Sequence, residues 1–235
     1  MSKNPHPRRV LAAAIAAGAV CLALAGPAPA AGASTALTTP TLDTGTVPFA
    51  GDVYTASANG TLIPVLPDST PASAPLFNLG GNALNVTWGQ WSSATAKSWA
   101  STFTLHGATY TGFLIELSGL IPNGVYSLFY DTFAPNSANP VCGAVDNDPL
   151  VALTAAFPRF QKPDPDSFVA SSSGGGLFLA SVPGNLLAAQ TLEIVPIYHF
   201  DGHTYGPVPN SGEATNNCTS SFGIDAMRQM IIIQN

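Results

Sequence analysis

Between Tyr110 and Asp131 the chain reads YTGFLIELSGLIPNGVYSLFYD, and no other stretch limits the fold as sharply. Phe113, Ile115 and Leu117 take one side of a period-two alternation and Leu114, Glu116 and Ser118 the other, which is the pattern of a strand with one buried face. Val125 to Tyr130 resumes it after Pro122-Asn123-Gly124, so the spacing predicts a strand, a turn and a strand.

The rest of the chain repeats that grammar in shorter phrases. Apolar runs at Val47 to Tyr54, Leu62 to Leu66, Leu76 to Leu79 and Ala83 to Trp88 each end in Gly, Pro, Asn or Asp, the cadence of all-β folds. Pro64 places its run at a sheet edge or a bulge, because a central strand needs the N–H that proline lacks. Gly80-Gly81-Asn82 reads as a tight turn, and His106-Gly107 as another. Leu192 to Phe200 is apolar at nearly every position, which implies burial on both faces, with Pro196 marking a bulge. Ile231-Ile232-Ile233 favours a strand added to an existing sheet. Ser171 to Gly176 fits an interdomain linker or a long hairpin turn equally well. Composition enters here as an exclusion: with 22 Gly, 21 Pro and only 9% charged residues, a helical surface would lack its usual Glu, Lys and Arg. The expected architecture is an all-β antiparallel sandwich with long Pro/Gly/Asn-rich loops.

Leu120, Pro122 and Tyr126 have the spacing that leads into a strand at the corner of a sandwich. In this the segment resembles fibronectin type III and immunoglobulin-like domains, where such a tyrosine hydrogen-bonds back to the preceding loop. The resemblance extends only over this short motif. It implies an immunoglobulin- or fibronectin-like sandwich, with a jelly roll as the other sandwich topology, and a buried Tyr126. It implies no activity.

Residues 1–30 have the pattern of a secretory signal. Lys3, Arg8 and Arg9 precede an apolar run from Val10 to Ala25, and Ala28-Pro29-Ala30 supplies small residues for cleavage. The run is too short for a stable membrane span. The Arg8-Arg9 pair leaves the general secretory and twin-arginine routes both open. Residues 31–46 then form an extended lead-in, and 47–235 one elaborated sandwich. Removing the signal takes three basic residues and no acidic ones, moving the net charge from −6 to −9, with four basic side chains against thirteen acidic. So acidic a chain offers no positive patch for nucleic acid or an anionic membrane. In an oxidising compartment Cys142 and Cys218 are expected to pair; closing a loop of about 76 residues constrains the unfolded chain by roughly 4 kcal/mol.

Three groups of residues invite a function. All three tryptophans, Trp88, Trp91 and Trp99, stand within one segment. With Tyr198 and Tyr205 they could stack against a glycan, although filling the core of a chain built from small residues is the simpler role. His199, Asp201 and His203 are spaced by two; with His106 they would suit Zn or Cu if a strand carried them on one face, whereas a hairpin turn at Asp201-Gly202 would explain the same residues without a metal. Asp146, Asp148, Asp164 and Asp166 form two D-x-D pairs in loops, hard oxygen donors of the kind that bind Ca²⁺, or a solvated loop face. No G-x-S-x-G elbow or H-E-x-x-H motif occurs. The residues favour an exported, non-catalytic sandwich that binds an extracellular glycan, a cell-surface component or a protein. A metal-dependent extracellular activity at the histidines is the alternative.

Overall fold

The alternation around Phe113 is realised as an eleven-residue strand, Ala108–Ser118. It sits in a fold described by the computed structural model at residues 41–42, 45–133, 150–157, 161–188, 191–207 and 224–234. In chain order the elements are β1 (Thr41–Leu42), β2 (Gly45–Pro48), β3 (Tyr54–Ala56), β4 (Leu62–Pro64), β5 (Pro75–Phe77), β6 (Ala83–Thr87), a helical turn α1 (Trp88–Ser92), β7 (Thr95–Leu105) and β8 (Ala108–Ser118). They continue as β9 (Val125–Phe133), β10 (Val151–Ala152), β11 (Ser167–Val169), β12 (Gly176–Pro183), β13 (Thr191–His199), β14 (Ala226–Arg228) and β15 (Met230–Gln234). The first sheet has the order β1-β7-β8-β12; the second runs β10-β9-β13-β15-β2, with β11 on β9 and β14 on β13; a smaller third runs β4-β3-β5-β6. The pairing is antiparallel throughout, and the fold is an all-β sandwich.

Alternation dictates which side chains meet between the layers. Ala96, Ser98 and Ala100 of β7, Phe113, Ile115 and Leu117 of β8, and Phe178, Ala180 and Val182 of β12 are buried. All but Ser98 share one core cluster with Tyr126, Leu128, Leu192, Ile194, Met230 and Ile232 of the second sheet. Each large member contributes roughly 1.5–3 kcal/mol by leaving water. Small residues on β7 bring β15 of the second sheet close, so that Gln234 Nε2 donates to Ser98 Oγ at 2.6 Å. On the opposite face of the second sheet Phe129, Val195, Ile197, Ala226 and Leu150 form a separate buried cluster. This is why β13 is apolar at almost every position: both of its faces are covered.

Strands β8 and β9 flank a turn as the spacing predicts, but they do not pair with each other. The segment between them is a corner that carries the chain from the first sheet to the second. Tyr126 is fully buried there; its hydroxyl accepts the Ile121 N–H at 2.8 Å and donates to Gln229 Oε1 at 2.5 Å. Gly174, at φ +75°, closes the corner from the other side, its carbonyl accepting the Leu120 N–H at 2.9 Å. A Cβ at Gly174 would strike the Leu120 carbonyl, so both the backbone angle and the close approach require glycine.

The other turn signals resolve in the same terms. His106 and Gly107 both have positive φ and join β7 to β8 as a two-residue hairpin. Pro64 lies on the edge strand of the third sheet. Ser171 to Gly175 is a hairpin turn, not a linker: Ser171 N–H donates to Gly175 O at 2.8 Å. The bulge signalled by Pro196 falls in the neighbouring strand. Ile194 pairs with Ile232 and Ile197 with Arg228, so three steps along β13 oppose four across Gln229. The partner chain bulges where proline offers no donor, and Gln229 N–H still reaches Pro196 O at 3.1 Å. Sheet structure also begins before Val47, because Gly45 and Thr46 already belong to β2 and Thr41–Leu42 pairs with β7. The loop that carries the Asp164 and Asp166 pair is not wholly solvated: Asp166, Ser167 and Phe168 are buried where β11 joins β9.

Candidate functional site

The tryptophan segment is divided by its secondary structure. Thr87 caps α1, its hydroxyl accepting the Gln90 N–H at 3.3 Å while Gln90 Oε1 accepts the Thr87 N–H at 2.8 Å. Trp88 and Trp91, three apart on that turn, both face inward and are buried. Trp91 donates its indole N–H to Phe49 O at 2.9 Å and meets Tyr198 edge-on at 6.4 Å. Trp88, Trp91 and Tyr198 are therefore core residues and present no ring face to a glycan. Trp99 alone points outward, half-buried on the solvent side of β7.

The histidines separate as well. His106 is exposed at the β7–β8 hairpin tip, whereas His199 pairs with Val125 beside the corner at the other end of β8. Eleven residues of strand put roughly 33 Å between those ends. Strand β13 stops at His199, and Gly202 turns the chain with φ +75°, so His199, Asp201 and His203 do not share a strand face. Asp201 is occupied within its own loop: it accepts the His203 N–H at 2.9 Å and the Tyr205 hydroxyl at 2.9 Å, and lies 3.3 Å from His203 Nδ1. Among the described residues no three His, Cys, Asp or Glu side chains are grouped as metal ligands. Asp164 and Asp166 diverge too. Asp164 accepts from the Thr204 hydroxyl and from the Gly206 N–H, while Asp166 is buried. Asp146, Asp148, Cys142 and Cys218 lie outside the described residues, as does the segment 1–30.

His199 itself is buried, its Nε2 2.6 Å from Ser127 Oγ and its ring 5.8 Å from that of Tyr205. Burial pushes its imidazole down to about 4, against the opposite pull of Asp201 and Asp164. Asp166 shows the mirror case, pushed up to about 6 by burial, with Asp164 adding to the rise against a backbone hydrogen bond. The two act on stability with opposite signs. Below pH ~6.5 the unfolded chain protonates His199 while the folded chain does not until about 4, so acidification through that window destabilises the fold. Asp166 holds its proton in the folded state up to about 6 but loses it near 3.9 when unfolded, so its contribution fades as pH rises through that range. In urea titrations across pH ~4 to 7, His199→Gln is expected to lose less stability on acidification than the wild type, and Asp166→Asn more. Parallel pH profiles for all three proteins would refute both assignments.

The solvent side of the first sheet carries a row of large apolar side chains that are half-buried or exposed. Pairing registers Trp99 of β7 with Leu114 of β8, and Leu114 with Leu179 of β12, in one row across three strands. The next row holds Lys97, Glu116 and Leu177; two rows the other way Phe103 stacks on Tyr110 at 5.6 Å, beside Pro183. Leu177 is 54% exposed and Leu179 42%. Backbone spacings give this face roughly 10 Å by 20 Å. The sequence carried a signal for it: Leu114, Leu177 and Leu179 occupy the phase that a half-buried strand normally gives to polar residues. Periodicity reports that phase as solvent-facing, and only the register shows that its apolar members coincide. Comparison with known proteins gives no match of the chain to a family model, to a curated protein or to a solved structure. Among the described residues no helix is long and apolar enough to cross a membrane.

Proposed function

We propose that the chain is an exported, non-catalytic β-sandwich that binds a protein partner on the outward face of its first sheet. The observation that carries this reading is the Trp99–Leu114–Leu179 row, three large apolar side chains aligned on a solvent face. An uncovered aromatic and aliphatic patch with charged residues at its rim, here Lys97 and Glu116, has the composition of a protein interface. A sugar platform would need an open ring face, but the Trp99 ring is half-buried and its cross-strand neighbour is Leu114. Export rests on the basic and apolar pattern of residues 3–30.

The test applies fluorescently labelled protein to the cells that export it. Saturable binding is expected, weakened about tenfold or more by Trp99→Ala with Leu179→Ser, and removed when the cells are first treated with protease. His199→Gln, which leaves this face intact, should bind normally. Binding indifferent to the Trp99 and Leu179 changes would overturn the assignment of the face. Binding removed by glycosidase but not by protease would overturn the partner class.

A further inference from the structure

Strands β11 and β12 leave one hairpin turn and then part company, β11 joining β9 in the second sheet and β12 joining β8 in the first. The first rung between them is made, from Ser171 N–H to Gly175 O at 2.8 Å. The next would join Val169 to Leu177, and it is open. Backbone groups alternate in direction along an antiparallel strand, so the neighbouring bonds fix where these two residues point. Leu128 N–H donates to Asp166 O and Ala170 N–H to Gly124 O, which aims residues 166, 168 and 170 at β9 and its approach and aims Val169 the other way. Leu179 O accepts from Ala156 N–H on the side away from β8, so Leu177, two residues earlier, also directs its N–H and C=O away from β8. Val169 and Leu177 thus face each other across the splayed hairpin, each with a donor and an acceptor that find no partner among the described residues.

The wedge between them is a groove of 490 Å³ lined by Gln161, Lys162, Phe168, Val169, Ser171 and Leu177, among others. Phe168 forms its floor. A Cβ at Gly176 would lie 2.5 Å from that ring, so the floor depends on glycine there. Val169 and Leu177 are each 54% exposed at the rim. Lys162 is exposed beside them, on a chain whose net charge is −6. Of the other basic residues in the described region, Arg228 is buried and Lys97 stands in the same row of the sheet face as Leu177.

We propose that this groove receives an extended segment of the protein partner, pairing by its backbone with Val169 and Leu177 and placing an acidic side chain at Lys162. The proposal rests on the partner being a protein, and it names the part of that partner that enters. Open main-chain groups supply register, Leu177 and Val169 supply apolar contact for alternate side chains, and Lys162 supplies selectivity for a carboxylate. The positive charge of Lys162 argues for an acidic segment in particular, because the chain as a whole carries a net negative charge.

Two blocked octapeptides serve as probes, each alternating threonine and valine, one with a central aspartate and the other with a central lysine. Titrated into ¹⁵N-labelled protein, the aspartate peptide is expected to shift the amides of Lys162, Val169, Ser171 and Leu177, binding about fivefold more tightly than the lysine peptide. Lys162→Glu, an exposed change that leaves the fold intact, should reverse that preference. Leu177→Pro removes an N–H that the β8 ladder does not use and should abolish both titrations with the far-ultraviolet spectrum unchanged. Trp99→Ala should leave peptide binding unaltered, so a failure here and a failure of the sheet-face reading are told apart. The proposal is overturned if neither peptide shifts Val169 and Leu177, if Lys162→Glu keeps the aspartate preference, or if these amides shift with protein concentration alone, which would make a second copy the occupant.

Discussion

Asp52→Ala is expected to lower folding stability by about 3–5 kcal/mol, among the largest effects open to a single substitution in this chain. Asp52 is buried at the turn between β2 and β3, and three donors converge on it. The Arg228 backbone N–H and Nε reach Oδ2 at 2.9 and 2.7 Å, and Arg228 Nη2 reaches Oδ1 at 2.7 Å. Both side chains are withdrawn from water, and the guanidinium also lies 4.1 Å from the centre of the Phe49 ring. Removing the carboxylate leaves a charge that cannot shed its proton in a site that excludes solvent. Asp52→Asn should recover only part of the loss, because it keeps the shape without the charge. Replacing both partners together, Asp52→Leu with Arg228→Met, should cost less than Asp52→Ala alone, since the buried charge is removed along with its carboxylate. Denaturant midpoints at unchanged m-value would measure all three. A loss below about 1 kcal/mol for Asp52→Ala would mean that solvent reaches Arg228.

This pair illustrates how far the fold was legible from residues alone. The strands were legible because burial on one face writes a period of two into the chain, as at Phe113, Ile115 and Leu117. The turns were legible because His106, Gly107 and Gly202 take positive backbone angles that few residues tolerate. Asp52 and Arg228 are 176 positions apart, and nothing local marks either as the partner of the other. The strand, turn, strand reading of Tyr110 to Asp131 is realised in β8 and β9, but the layer that each strand joins was not legible, for a related reason. Alternation states that each strand has a buried face, but not that two successive strands share a sheet, and Gly119 to Gly124 sends them to different layers. The helical turn at Trp88 did carry a local signal, since Thr87 and Gln90 stand at capping-box spacing, but five residues are too few for apolar periodicity to register. The candidate site was harder still. Trp99, Leu114 and Leu179 come together only through strand register, and the opening between Val169 and Leu177 exists only because a hairpin divides between two sheets.

Trp91→Ala is the second substitution expected to cost about 3–5 kcal/mol, and it tests the division of the tryptophans directly. Trp91 has no exposed surface, and it ties three parts of the fold together. Its indole N–H is held by Phe49 O at the end of β2, its ring meets Tyr198 of β13 edge-on, and its carbonyl accepts from Gln229 Nε2 at 3.2 Å. Truncation removes the ring and cannot be relieved by collapse, because the capped turn of α1 fixes the backbone. The void would join the 190 Å³ cleft already lined by Val86, Leu120 and Ile121, admitting water to the rings of Tyr198 and Tyr126. Trp91→Phe keeps most of the apolar surface and loses the hydrogen bond to Phe49 O, so about 1–2 kcal/mol is expected from it. Trp99→Ala, on the outward face, should cost less than Trp91→Ala in stability while acting on partner binding. If Trp91→Ala instead left the denaturant midpoint unchanged and weakened partner binding, the tryptophan turn and not the sheet face would be the recognition surface.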